Sequence, residues 1–290
     1  MAATIFIAMV VLLLLGFPMM IPLIVGAFIG FFTMFGGMGQ METMVQQMMA
    51  GIRPASLIAV PMFIFAADIM TRGQSAGRLI DLVMSFVGHI RGGLAISTAA
   101  ACTLFGAVSG STQATVVAVG SPLRPRMLKA GYRDSFILAL IVNASDIAFL
   151  IPPSIGMIIY GVVSNTSIAE LFIAGIGPGL LILVLFSIYS YIYAVRNKVP
   201  TEERATWSER GKALLAALWP MGFPVIIIGG IYGGVFSPTE AAAACVLYAL
   251  LLEVIVFRSI TVGEVYQTAK STGLITAVVF ILVGAGAAFS

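Results

Sequence analysis

Two short polar clusters interrupt long apolar stretches between residues 92 and 163. The first cluster is Ser109-Gly110-Ser111-Thr112. The second is Asn143-Ala144-Ser145-Asp146, which is followed by Leu150-Ile151-Pro152-Pro153-Ser154. Lipid offers no hydrogen bonds to main-chain groups, so a membrane segment breaks only where its free polar groups are buried in protein or line a cavity. The sequence therefore predicts two helix breaks that face an internal site.

Two broken helices offer ligands for both a cation and an anion. The first half of each helix ends in free carbonyls, its negative pole, and the second half begins with free N–H groups, its positive pole. Carbonyl, hydroxyl and amide oxygens suit Na⁺, whereas the N–H groups suit a carboxylate. Ser111 and Ser154 are placed to cap the second halves, and Gly110 allows a tight tip. Pro152 and Pro153 exclude a continuous helix.

The second cluster adds side chains that can carry charge. Asn143 and Asp146 are three residues apart and so share one helical face. They can supply an ion ligand, or Asp146 can bind a proton. The alternative is that these small residues serve only close helix packing, which is their commoner role in membrane helices. Two breaks so close together favour function.

Composition places the chain in a membrane. It has 290 residues, of which 60% are hydrophobic and 9% are charged, and its mean hydropathy is +1.09. Soluble domains carry roughly 25% charged residues. The basic residues lie between apolar runs, as membrane topology requires. The small excess of basic over acidic residues therefore does not indicate nucleic-acid binding. Cys102 and Cys245 form neither a disulfide framework nor a metal-binding spacing.

The first third of the chain predicts scaffold-like segments. Residues 2–35 form one broken or two short segments, because Gly16, Pro18 and Pro22 interrupt them. The segments that follow are an interfacial helix at 40–52, a span at 55–71 with Asp68 near its end, and an amphipathic interfacial arm at 75–90 that carries His89.

Length suggests a re-entrant hairpin next. Residues 93–108 could nearly cross the bilayer, but residues 112–121, before Pro122, would span only about 15 Å as a helix. We therefore expect a hairpin over 92–123 with Ser109-Gly110-Ser111 at its tip. A crossing at 135–163, interrupted at Pro152-Pro153, follows it.

The remaining segments give a consistent topology. They are the spans 171–195, 215–235 and 241–257 and a final apolar run at 273–290. Every Lys and Arg after residue 90 then falls on one side, which the positive-inside rule assigns to the cytoplasm. Phe17-Pro18-Met19-Met20-Ile21-Pro22 resembles Trp219-Pro220-Met221-Gly222-Phe223-Pro224, which suggests an inverted repeat. Such a repeat needs one more crossing between residues 36 and 91, which the arm at 75–90 could supply, so the N-terminal topology stays open. Because the final run stops at residue 290, we expect the chain to cover only part of a longer polypeptide.

Several motifs together resemble one transporter family. They are Phe105-Gly106-Ala107-Val108-Ser109-Gly110-Ser111, Pro122, Gly131-Tyr132, Ile151-Pro152-Pro153-Ser154 and Phe236-Ser237-Pro238-Thr239-Glu240-Ala241. Over essentially the whole chain, this combination resembles the large membrane subunit of tripartite ATP-independent periplasmic (TRAP) transporters.

The resemblance implies a fold, a mechanism and partners. The fold is an all-α polytopic membrane protein of the elevator type, with a re-entrant hairpin and a broken transmembrane helix, whose inverted repeat is only partly covered. The implied function is Na⁺-driven import of an organic acid across the bacterial inner membrane. A periplasmic binding protein delivers the substrate, and a small membrane subunit braces the scaffold. The polar stretch Asn143 to Asp146 favours the sialic acid members over the C4-dicarboxylate members.

The resemblance also assigns domains and ligands. Residues 1–91 and 171–272 become scaffold helices and arms, 92–170 becomes half of the transport domain, and 273–290 begins a further transmembrane segment. The implied Na⁺ ligands are Ser109, Gly110, Ser111, Asn143, Ser145 and Asp146. The implied substrate-binding residues are Ser109, Ser111 and Ser154.

Other functions remain open at this point. The protein could be a proton-coupled carrier or a channel, or only a structural partner subunit. It could also be an intramembrane hydrolase that uses Ser109 or Ser111 as nucleophile, which would need a general base such as His89 or Lys129.

Overall fold

The computed structural model describes residues 2–34 and 41–289. The described chain is built from helices. They are α1 (Ala2–Leu14), α2 (Met20–Met34), α3 (Met41–Gly51), α4 (Ala59–Arg72), α5 (Ser75–Val87), α6 (Gly93–Ser109), α7 (Thr112–Lys129), α8 (Asp134–Ser145), α9 (Ile155–Ser164), α10 (Ile168–Arg196), α11 (Trp207–Tyr232), α12 (Pro238–Leu250) and α13 (Val262–Phe289). Short 3₁₀ turns at Ala55–Ile58 and Asp146–Phe149 precede α4 and follow α8, and a π turn at Leu251–Val256 extends α12.

Within the described residues, five helical segments are long and apolar enough to cross a membrane. They are Ala55–Arg72, Ile168–Arg196, Trp207–Tyr232, Pro238–Val256 and Val262–Phe289. The helices predicted at 55–71, 171–195, 215–235 and 241–257 are confirmed. The predicted final run at 273–290 is only the second half of α13, because that helix already begins at Val262. The run therefore does not start a separate element at residue 273.

The predicted interruption near the N-terminus is also confirmed. Helix α1 ends at Leu14 and α2 begins at Met20. Between them Gly16 has a φ of +81°, a conformation that favours glycine. Residue 35 of the first predicted segment and residue 40 of the next lie outside the described residues.

Helix α7 is longer than predicted. It continues through Pro122 and Pro125 to Lys129, so it spans about 27 Å instead of about 15 Å. Each proline removes one main-chain donor. The helix nevertheless persists because its inner face is buried, including Leu123 and Met127. Helices α6 and α7 are thus similar in length. The shortness that suggested re-entry is absent, and re-entry stays a prediction.

The second predicted break is present, and it begins earlier than expected. Helix α8 ends at Ser145, and a 3₁₀ turn covers Asp146–Phe149. The chain then passes through the cis Pro152-Pro153 peptide bond before α9 begins at Ile155. The interruption at Pro152-Pro153 is therefore confirmed. It belongs to a longer segment, residues 146–154, that lies outside the α-helices.

Two of the basic loops lie close together. Arg126, near the end of α7, lies 3.5 Å from Glu202 in the loop after α10. Arg124 pairs with Asp134 at 2.9 Å, which ties the end of α7 to the start of α8. The hydrogen bonds from Arg124 hold the pKa of the Asp134 carboxyl below its usual value. These contacts agree with a common side for the basic loops.

Glu253 is placed differently from the expectation for a residue near a span end. Its side chain is wholly buried in the π turn after α12. The carboxylate accepts hydrogen bonds from the main-chain N–H groups of Gln74 at 3.0 Å and Ser75 at 3.1 Å. The hydroxyls of Ser75 and Ser259 also donate to it. Glu253 therefore supplies the acceptors that the first turn of α5 lacks, and it fixes the predicted arm to α12.

Candidate functional site

The tip of the α6–α7 hairpin docks on the break between α8 and α9. Gly110, at the tip, has a φ of +59° and its carbonyl accepts a hydrogen bond from the N–H of Ile155 at 3.4 Å. A Cβ atom at position 110 would lie 1.8 Å from the carbonyl oxygen of Pro153. Only glycine fits both the backbone conformation and this close approach. The two breaks predicted from sequence therefore meet in space.

Both helices that begin at this junction are capped by serine. Ser111 has an extended backbone and its Oγ accepts a hydrogen bond from the N–H of Ala114 at 3.4 Å. Ser154 is likewise extended, and its Oγ accepts from the N–H of Met157 at 3.2 Å. The predicted capping roles of both serines are confirmed. The positive ends of α7 and α9 thus lie beside each other, which favours an anionic group between them.

Ser109 lies inside the tip. It is wholly buried, and its Oγ is 3.0 Å from Thr115 Oγ1 and accepts from the N–H of Ser111 at 3.3 Å. Thr112 Oγ1 is buried as well, and within the described part of the chain it has no hydrogen-bond partner. Thr112 belonged to the polar cluster in the sequence, but its side chain was not singled out as a ligand. An unpaired hydroxyl beside the end of α6 is free to coordinate a cation.

The second polar cluster lies at the end of α8. Ser145 is buried, and its Oγ donates to Cys102 Sγ at 3.5 Å. Cys102 is seven residues before Ser109 on α6, so Ser145 lies about 10 Å from the tip along that helix. Asn143 and Asp146 are exposed. The structure therefore brings together the hairpin tip, the Pro152-Pro153 bond and Ser154, whereas Ser145 packs farther along α6.

A cavity of about 740 Å³ opens beside the tip. Ser111 and Gln113 of α7 and Gly156 of α9 line one wall, and α13 contributes apolar side chains. Helix α4 contributes Asp68 and Arg72 to the same lining. Thr272 of α13 donates a hydrogen bond to the Asp68 carboxylate at 3.4 Å. Such a volume suits a small organic ligand.

Sequence reasoning missed the two charged residues of this cavity. Asp68 was noted only for its position near the end of its span, and Arg72 was not singled out. An available signal was their spacing, because opposite charges four residues apart share one helical face. That signal alone does not show that the face meets the hairpin tip, since the packing of α4 against α6, α7 and α9 decides it.

Comparison with known proteins identifies the family. Residues 6–290 match the model of the tripartite ATP-independent periplasmic transporter, DctM component. An ectoine/5-hydroxyectoine TRAP transporter large permease protein of Ruegeria pomeroyi is 85% identical over 290 residues, which are 100% of this chain and 68% of the relative. An ectoine TRAP transporter large permease protein of Halomonas elongata is 77% identical over 282 residues, 97% of this chain and 66% of the relative.

More distant relatives correct the expected branch. A sialic acid TRAP large permease protein of Vibrio cholerae is 40% identical over 238 residues, 82% of this chain and 55% of the relative. The ectoine permeases are far more similar, so the preference for sialic acid members over C4-dicarboxylate members, which rested on Asn143 to Asp146, is wrong. The chain spans about two thirds of the length of the ectoine permeases that it matches.

The match extends over nearly the whole chain, and it agrees with the all-helical fold and the five helices that could cross a membrane. The two ectoine relatives are named as transporter permeases, not as enzymes. The chain is thus a multi-pass protein of the bacterial inner membrane, and it belongs to the family of TRAP transporter large permeases, the DctM component.

Proposed function

We propose that the complete protein is the large permease subunit of an importer for ectoine and 5-hydroxyectoine. It works with a small membrane subunit and a periplasmic binding protein that delivers the substrate. The substrate assignment is supported by the ectoine permeases that are 85% and 77% identical to this chain.

The docked tip is the observation that carries a transport mechanism. The serine-capped starts of α7 and α9 border one cavity, so a substrate carboxylate there meets two positive helix ends. The negative end of α6 lies at the same tip, where its last carbonyls have no intrahelical partner. Import by Na⁺ symport is the mechanism that this arrangement of opposite helix ends favours.

We place the proposed Na⁺ position at the tip, among the oxygens of Ser109, Gly110 and Ser111 and the free hydroxyl of Thr112. Ser145 lies about 10 Å from Ser109 along α6. One ion cannot touch the hydroxyls of both serines, and the roles of Asn143, Ser145 and Asp146 in ion binding stay predictions.

An elevator movement is the proposed way in which the site changes sides. The hairpin and the broken helix pack on each other through α6, α7, α8 and the 3₁₀ turn between α8 and α9. These contacts hold the hairpin and the broken helix together. We propose that residues 92–170 move as one body against a scaffold formed by residues 1–91 and 171–272.

The geometry disfavours the hydrolase alternative. His89 precedes α6, and the 17 residues of that helix place it about 25 Å from Ser109. Lys129 ends α7, at the far end of the hairpin from Ser111. A general base must lie within hydrogen-bond reach of its nucleophile. Replacing His89 by alanine should therefore leave uptake intact, and that result would exclude His89 as the general base.

The test is uptake by the complete permease and its small subunit in proteoliposomes. The binding protein, labelled ectoine and an inward Na⁺ gradient are supplied, with succinate and sialic acid as comparison substrates. Ser111→Ala removes a helix cap worth about 1 kcal/mol. Ser121→Ala is the matched control, because Ser121 is exposed on the same helix and does not line the cavity.

We expect Na⁺-dependent ectoine uptake that Ser111→Ala reduces and Ser121→Ala does not. Uptake that follows a proton gradient instead of Na⁺ would indicate a proton-coupled carrier, and uptake that needs no gradient would indicate a channel. Equal rates in the two serine variants would contradict the role of the tip, and transport of succinate or sialic acid alone would contradict the substrate.

A further inference from the structure

The cavity beside the hairpin tip carries opposite charges on a largely apolar surface. Asp68 and Arg72 are one helical turn apart on α4, and both line the cavity. The starts of α7 and α9 line the same cavity. Most of the remaining lining is apolar, from Ile64, Ala114, Val117, Ile159, Ile275 and Val279.

Neither charge has a strong partner in the described part of the chain. Asp68 accepts one hydrogen bond, from the neutral hydroxyl of Thr272 at 3.4 Å. It forms no ion pair with Arg72, and Arg72 forms none with any other described carboxylate. A carboxylate within a membrane-crossing helix is costly and normally pairs with another group or marks a substrate path. A ligand that brings its own positive charge would supply the missing partner.

We infer that this cavity binds a compact zwitterion, with Asp68 as the residue that recognises its cationic group. The carboxylate of the ligand lies toward the capped starts of α7 and α9 and toward Arg72. The cationic group lies against Asp68, and the carbon skeleton contacts the apolar lining. Ectoine has this chemistry, since its single ring joins a carboxylate to a delocalised amidinium. The inference rests on the proposed function and adds residues of α4 to it.

The same arrangement discriminates against dianions. A C4-dicarboxylate would fill the anionic position with one carboxylate and bring the other toward Asp68. Two like charges in a site of low dielectric repel strongly, so the dianion is rejected. A permease with this cavity therefore selects by charge after the binding protein has made its own selection.

The experiment compares Asp68→Asn with Asp81→Asn in the complete permease with its small subunit. Asp81 is exposed on α5 and does not line the cavity, so it is a matched control for the loss of one carboxylate. Maximal uptake rates are measured with ectoine-saturated binding protein and a fixed Na⁺ gradient. Selection by the binding protein then does not enter the comparison.

We expect Asp68→Asn to lower the maximal rate by about tenfold relative to Asp81→Asn, the effect of losing one charged hydrogen bond. Asp68→Glu should restore a large part of the rate. Equal rates for Asp68→Asn and Asp81→Asn would overturn the inference. No ectoine uptake by the unmodified protein would instead overturn the proposed function.

A second variant guards against a folding defect. Arg72 is exposed, so Arg72→Gln should leave the thermal unfolding temperature unchanged. It should still reduce ectoine uptake several-fold, because Arg72 holds the carboxylate end of the ligand. Uptake by Arg72→Gln at the rate of Asp81→Asn would overturn the zwitterion site even if Asp68→Asn failed to fold.

Discussion

Replacing Gly110 by alanine tests the docking of the hairpin tip on the helix break. The new Cβ would lie 1.8 Å from the carbonyl oxygen of Pro153, whereas real Cβ atoms keep at least 3.0 Å from such neighbours. One of the two segments must therefore move by more than about 1 Å, and overpacking of this kind costs about 1 to 3 kcal/mol. The left-handed backbone at residue 110 adds roughly 1 to 2 kcal/mol for a residue with a Cβ.

Gly131→Ala separates these two costs. Gly131 has a φ of +91°, but nothing lies within 4 Å of a Cβ placed there. Both variants are therefore destabilised by the left-handed backbone, and only Gly110→Ala is also destabilised by the clash. A difference of 1 to 3 kcal/mol lowers the population of the docked tip by about 5- to 150-fold.

The assay is the initial rate of Na⁺-driven ectoine uptake, with thermal unfolding measured on the same samples. We expect Gly131→Ala to retain most of the uptake and Gly110→Ala to lose nearly all of it. If the two variants transported equally well, the tip would not depend on its contact with Pro153, and the reasoning about the site would be refuted.

Three further changes test other parts of the structure. Glu253→Gln replaces a buried carboxylate that accepts four hydrogen bonds, so the free energy of unfolding should fall by about 2 to 4 kcal/mol. Faster hydrogen exchange at the start of α5 would show this loss of stability, and unchanged exchange would contradict the prediction. Gly175→Ala should lower thermal stability, because its Cβ would meet the carbonyl of Leu150 at 2.1 Å, whereas Gly177→Ala meets nothing and should not. Equal unfolding temperatures for these two variants would count against the packing of α10 on the break. Asp134→Asn removes a group whose pKa is lowered by Arg124. A lowered pKa stabilises the fold above the usual carboxyl pKa, and this effect is lost as the pH falls through the folded-state value. The difference in unfolding temperature between Asp134→Asn and the unmodified protein should thus be small at neutral pH and vanish in acid.

Features that depend on neighbours in the sequence were predictable. Ser111 and Ser154 cap the helices that follow them because a cap requires only the serine and the two or three residues after it. The break at Pro152-Pro153 was equally local, since proline removes a donor wherever it stands. The local rule failed at Pro122, where the buried face of α7 keeps the helix continuous.

The roles of charged residues depended on tertiary packing. The sequence by itself determined an all-helical membrane protein, its helix breaks and its family, because apolar runs, prolines and caps act over a few residues. Only the tertiary structure decided that Glu253 anchors α5, that Asp68 faces the hairpin tip and that Ser145 does not. A side chain's partners across helices depend on which faces pack together, and residues 178 apart, such as Ser75 and Glu253, meet only in the folded chain.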